Sequence, residues 1–106
     1  MFDLTGKVVL ITGATGGIGS AIAKKMKDKG AKLILSGTRQ SALDNFSSEM
    51  GNDIKTIASD LNSKEDILNL AQEAENCFGH VDILINNAGI TADTLFIRMK
   101  DEDWEN

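Results

Sequence analysis

The chain has a single cysteine, Cys77, so no disulfide can form within its 106 residues. A reducing compartment, the cytoplasm, is the expectation. Cys77 falls on the apolar face of an expected helix, where it reads as a small buried hydrophobe. No apolar run exceeds four residues, Val8 to Ile11, far short of the ~20 needed to span a membrane as a helix. The N-terminus carries Asp3 and lacks a basic, apolar leader, which argues against secretion. Positive charge is scarce: 11 Lys and Arg face 16 Asp and Glu, a formal charge of −5. That balance speaks against nucleic acid as a partner. Lys24, Lys25, Lys27 and Lys29 do cluster, but in the last turns of the first expected helix, where they complement its dipole and solvate its outer face. No linker, low-complexity stretch or metal-ligand cluster is read. The 42% hydrophobic and 25% charged residues are ordinary for a globular chain of at most one small domain.

What the chain does have is concentrated between Val8 and Gly19. Val8-Val9-Leu10-Ile11 reads as a strand buried on both faces, as in the centre of a parallel sheet. Thr12-Gly13-Ala14-Thr15-Gly16-Gly17-Ile18-Gly19 follows at once, and then a helix whose Ile18, Ile22 and Met26 recur on one face. Strand, tight turn and helix N-terminus form a phosphate-binding device, because the turn's N–H groups and the positive end of the helix dipole aim at one spot. Gly13 suits the turn out of the strand, Gly17 the close approach of a pyrophosphate, and Gly19 the packing of helix on sheet. Thr12 and Thr15 either cap the turn or reach phosphate oxygens.

Taken in order, the sequence predicts a strand at about 7–12 and a helix at about 17–29 closed by Gly30. A second strand covers Lys32 to Ser36, and a helix from about Ser41 to Met50 buries Leu43, Phe46 and Met50. A third strand runs from Ile54 to Ala58. Ser63-Lys64-Glu65-Asp66 has the form of a capping box, ahead of a helix that lasts until Gly79. Val81 to Ile85 is the fourth strand, and a helix is expected to start near Asp93. Such alternation implies an α/β fold, a Rossmann-type doubly wound parallel sheet with strand order 3-2-1-4 and helices on both faces. Ligands then bind at the carboxyl ends of strands one and four, where the order reverses. The glycine turn lies at one of those ends and Asn86-Asn87-Ala88-Gly89 at the other.

Thr12-Gly13-x-x-x-Gly17-Ile18-Gly19 and Asn86-Asn87-Ala88-Gly89 together resemble the two N-terminal signatures of the short-chain dehydrogenase/reductase family. The resemblance implies a nicotinamide dinucleotide cofactor held by the glycine turn, with Asn87, Ala88 and Gly89 along a ribose. Asn86 is expected to hydrogen-bond neighbouring backbone at the strand end. Asp60 and Leu61 match an Asp-hydrophobic pair beside the adenine, and Asp60 reads equally well as a turn residue. After the second strand, Ser36-Gly37-Thr38-Arg39 contains no acid. A carboxylate there would favour a free 2′-hydroxyl and repel a 2′-phosphate, whereas the Thr38 hydroxyl and Arg39 guanidinium attract the phosphate. NADP(H) is therefore expected over NAD(H). Gly16 stands where many NADP-preferring relatives carry a basic residue, which leaves most of that recognition to Thr38 and Arg39.

The stretch from Ile90 to Trp104, with Ile90-Thr91-x-Asp93-x-Leu95 and Arg98-Met99-Lys100, resembles bacterial 3-oxoacyl-[acyl-carrier-protein] reductases. That resemblance implies reduction of a β-ketoacyl thioester in fatty acid synthesis, with an acyl-carrier-protein-bound substrate and a homotetrameric full-length enzyme. The family's proton donor is a Tyr paired with a Lys. The chain contains no Tyr, so no catalytic residue is assigned. Residues 1–106 are read as the partial, cofactor-binding half of such a reductase, with a fourth strand left as an open edge. A free-standing NADP(H)-binding module and a non-functional remnant are the alternatives.

Overall fold

A computed structural model describes residues 3–60 and 62–87 and the backbone of 95–98. Its elements are β1 (Val8–Thr12), α1 (Gly17–Asp28), β2 (Lys32–Gly37), α2 (Gln40–Ser48), β3 (Ile54–Ala58), α3 (Lys64–Phe78), β4 (Ile83–Asn86) and β5 (Leu95–Arg98). The sheet order is β3-β2-β1-β4-β5. The first four strands are parallel, which is the 3-2-1-4 doubly wound arrangement. Each parallel step is bridged by a helix, as parallel pairing requires.

All five residues of β1 are buried. Val8 and Leu10 face α3 and pack with Ile67, Leu70 and Ala74. Val9 and Ile11 face the other way, into a second core with Leu33, Leu35 and Leu43 beneath α1 and α2. The four consecutive apolar residues Val8 to Ile11 are thus explained by a strand sandwiched between two helical layers.

Local chemistry sets the helix ends. α1 stops where Gly30 takes φ 93°. Its N–H reaches the Lys27 carbonyl while the Ala31 N–H reaches that of Met26, the paired bonds of a Schellman turn. α3 begins as a capping box should, with the Asp66 N–H donating to the Ser63 hydroxyl at 3.2 Å. The return bond differs: the Asp66 carboxylate accepts from the N–H of Asn62, one residue earlier than the motif implies.

Three expectations change. Leu95–Arg98 is a strand paired antiparallel to β4, with Ile83 opposite Arg98 and Asn86 opposite Leu95. The helix expected from near Asp93 is absent over those four residues, and Asp93 itself lies outside the described residues. A bare β4 would leave a row of unpaired backbone groups, and Leu-Phe-Ile suits a pleated surface, so cross-strand pairing outweighs local helix preference. The open edge expected on the fourth strand is therefore closed by the chain itself. Ile18, placed by periodicity on the apolar stripe of α1, is 67% exposed. The first turn of α1 starts beyond the end of β1, where the sheet offers no surface; Ile22 and Met26, lower down, do pack on the core.

Candidate functional site

β1, β2, β3 and β4 all end at the same side of the sheet, and every described candidate residue falls there. Gly13 leaves β1 with φ 62°, a left-handed turn that favours glycine. The buried Ala14 then donates its N–H to the Ser36 carbonyl at 3.0 Å, tying the turn to β2. The Gly16 N–H closes the loop on the Gly13 carbonyl at 3.2 Å. Gly16 becomes the N-cap of α1 in an extended conformation.

The glycines at positions 17 and 19 do opposite things. A Cβ on Gly19 would overlap the Gly13 carbonyl oxygen and stand 2.8 Å from its carbon, with the Asn87 side chain at 3.0 Å. Only glycine lets α1 lie this close to the turn. A Cβ on Gly17 would meet nothing within 4 Å. The fold itself has no need of glycine there, and the space in front of it is open.

The start of α1 is electrostatically bare. Its N-cap supplies no side-chain hydrogen bond, and its first turn holds no acid. The Gly17, Ile18 and Gly19 N–H groups have no intrahelical carbonyl to reach. α3 in the same chain shows the contrast, with a Ser63 cap and Glu65 and Asp66 in its first turn. An uncapped, uncompensated N-terminus is the arrangement that accepts an anion. Lys25 and Lys27 sit in the last turn, so the charge of α1 is balanced at the opposite end only.

The second motif reaches the turn from β4. The Thr12 hydroxyl donates to the Asn86 side-chain oxygen at 2.9 Å and accepts from the Asn87 N–H at 2.8 Å. The Asn87 carboxamide donates in turn to the Gly13 carbonyl at 3.4 Å. Thr12 is fully buried. Its hydroxyl joins the strand ends. Asn86 does stabilise the end of its strand, through a side chain on β1 rather than through neighbouring backbone alone.

The remaining candidates lie on the flank. Thr15 is exposed, its hydroxyl 3.6 Å from where a Cβ on Gly37 would stand. Thr38 and Arg39 are exposed at the end of β2, with Arg39 the N-cap of α2. Asp60 is exposed past β3, next to Ser59, whose N–H donates to the Gly37 carbonyl at 2.8 Å. Leu61, Ala88 and Gly89 lie outside the described residues. Ser36, which carried no expectation beyond lacking a charge, has a buried hydroxyl with no hydrogen-bond partner among the described residues. Among the described residues no group of three His, Cys, Asp or Glu is placed to hold a metal. No described helix is long and apolar enough to cross a membrane.

Residues 7–106 match the family described as short chain dehydrogenase. The chain belongs to that family. Among short-chain dehydrogenases, Nodulation protein G of Rhizobium sp. (strain N33) is 47% identical over 105 residues, 99% of this chain and 43% of that protein. The 3-oxoacyl-[acyl-carrier-protein] reductase FabG of Haemophilus influenzae is 44% identical over 101 residues, 95% of this chain and 42% of that protein. The crystal structure of 3-ketoacyl-(acyl-carrier-protein) reductase from Brucella melitensis, complexed with NADH, superposes with a TM-score of 0.69. It is 34% identical, over 77% of this chain and 34% of that one. The chain thus spans less than half the length of these relatives.

Proposed function

We propose that these residues form the cofactor-binding part of an NADPH-dependent 3-oxoacyl-[acyl-carrier-protein] reductase, one portion of a single Rossmann-type domain. The observation that carries the proposal is the open space before Gly17 at an uncapped helix N-terminus, beside the Asn87 segment. A dinucleotide fits that surface. Its pyrophosphate meets the N–H groups of Gly17, Ile18 and Gly19, and Gly13 to Gly16 form the turn beneath it. Ile18, a large apolar side chain left exposed at the same place, offers a flat contact for a ring. Asn87, with Ala88 and Gly89, lines a ribose; Asp60 and Leu61 flank the adenine. Thr12 and Asn86 hold the two segments in register from beneath. When bound, NADPH supplies hydride for a β-keto carbon.

Arg39 and Thr38 support NADPH over NADH. Both are exposed where β2 ends, and Ser36-Gly37-Thr38-Arg39 carries no carboxylate to accept a 2′-hydroxyl or repel a 2′-phosphate. The name of the Haemophilus relative and the stretch from Ile90 to Lys100 point to an acyl-carrier-protein-bound β-ketoacyl thioester as substrate. Fluorescence titration tests the cofactor choice. NADPH should bind about tenfold more tightly than NADH, the 1.4 kcal/mol that one charge-assisted contact readily supplies. Arg39→Ala should erase most of that margin. Equal or tighter binding of NADH by the unaltered chain would overturn the preference.

A further inference from the structure

β2 passes into α2 through Thr38 and Arg39 alone, and the helix opens on a closed triangle of side-chain hydrogen bonds. The Gln40 Nε2 group donates to the Asp44 carboxylate at 2.8 Å and to the Thr56 hydroxyl at 2.8 Å. That hydroxyl donates to the same Asp44 oxygen, Oδ1, at 3.4 Å. We propose that Gln40, Asp44 and Thr56 are positioning residues for a 2′-phosphate: they fix the start of α2 on the sheet and keep the neighbouring carboxylate off Arg39. The inference rests on the NADPH reading above and deepens it, by naming residues that act through Arg39.

Placement is the first argument. Thr56 lies in the middle of β3, opposite Leu35 of β2. It alternates with Ile57, which packs on the α3 side, so Thr56 shares the α2 face with Ile54. Gln40 is the first residue of α2 and Asp44 stands one turn on, the spacing at which helical side chains meet. Among the described residues no other side-chain hydrogen bond ties α2 to the sheet. The fully buried Leu43 anchors the same turn by packing, which is not directional, so the triangle sets how the turn is rotated. On the other side the Gly37 carbonyl accepts from the Ser59 N–H at 2.8 Å. Thr38 and Arg39 are thus held between two fixed points with their side chains exposed. A guanidinium placed in advance loses less freedom when it meets a phosphate.

Charge is the second argument. Asp44 is the nearest acid to Arg39 in the sequence. A carboxylate paired with the guanidinium would compete with a phosphate for it. Here the Asp44 Oδ1 receives the donors of Gln40 and Thr56, and Arg39 is in no ion pair among the described residues. The first turn of α2 holds no acid, so the positive end of that helix is uncompensated beside Arg39.

Fluorescence titration of the 106-residue chain with NADPH and NADH provides the test. Thr56→Val keeps shape and net charge and removes the hydroxyl. It should weaken NADPH by about three- to tenfold, the effect of one modest hydrogen bond, and leave NADH unchanged. Gln40→Leu removes the shared donor and should do the same. Thr56→Ser keeps the hydroxyl and should retain the preference. Circular dichroism should show all three variants folded. A preference that survives both Thr56→Val and Gln40→Leu overturns the proposal alone. So does an equal loss for both nucleotides, which marks a tie that serves only the fold. Equal binding of the two nucleotides by the unaltered chain overturns the NADPH reading, and this proposal with it.

Discussion

The Thr12 hydroxyl donates a 2.9 Å hydrogen bond to the side-chain oxygen of Asn86, 74 residues away. This bond joins the last residue of β1 to the last residue of β4, which are also register partners in the sheet. It fixes the glycine turn and the Asn87 segment side by side before any ligand arrives. Such preorganisation lowers the cost of binding.

Thr12→Val keeps the shape and removes the hydroxyl. Asn86 then loses a donor and the Asn87 N–H an acceptor, both at the buried end of the strands. The expected loss is about 1–3 kcal/mol in urea unfolding. Thr12→Ser, which keeps the hydroxyl and sheds a methyl, should cost about 1 kcal/mol or less. Equal losses for the two variants would mean that packing, not the hydrogen bonds, matters at this position.

Gly19→Ala and Gly17→Ala should diverge although the two glycines are two residues apart. At position 19 the new methyl runs into the Gly13 carbonyl, so α1 must shift. A loss of about 1–3 kcal/mol is expected. At position 17 it meets nothing within 4 Å. Stability there should hold or rise, by up to about 1 kcal/mol from helix propensity. Thermal unfolding of the pair decides, and similar shifts would contradict the geometry.

The parallel core was legible because its signals are local. Four apolar residues marked β1, Gly30 marked the end of α1, and Ser63 marked the start of α3. Alternation of strands and helices then implied the 3-2-1-4 order. The features that escaped depend on what lies across the sheet. No local pattern connects Thr12 to Asn86. Helical periodicity put Ile18 on the buried stripe because it carries no information about where the sheet stops. The sequence suggested a helix from near Asp93, but for Leu95–Arg98 the unpaired groups of β4 decide the conformation. In the candidate site, the glycine spacing was readable, whereas the opposite duties of Gly17 and Gly19 required knowing which one faces Gly13.

The 106-residue chain should not reduce an acetoacetyl thioester with NADPH. Hydride addition to a ketone needs a placed proton donor, a contribution worth about 10² to 10⁴-fold. The family's donor is a Tyr, and the sequence has none. Loss of NADPH absorbance should match that of a Gly17→Val control. Turnover above the control would mean that another residue of this chain supplies the proton.

Nucleotide titration of Gly17→Val bears most directly on the central claim. The open space before Gly17 makes the substitution mild for the fold and severe for a pyrophosphate that must approach the helix N-terminus. NADPH affinity should fall at least tenfold, about 1.4 kcal/mol, while the circular dichroism spectrum and urea midpoint stay close to those of the unaltered chain. Unchanged affinity in a folded Gly17→Val protein would contradict the account, because the turn between β1 and α1 would then not be where the phosphates bind.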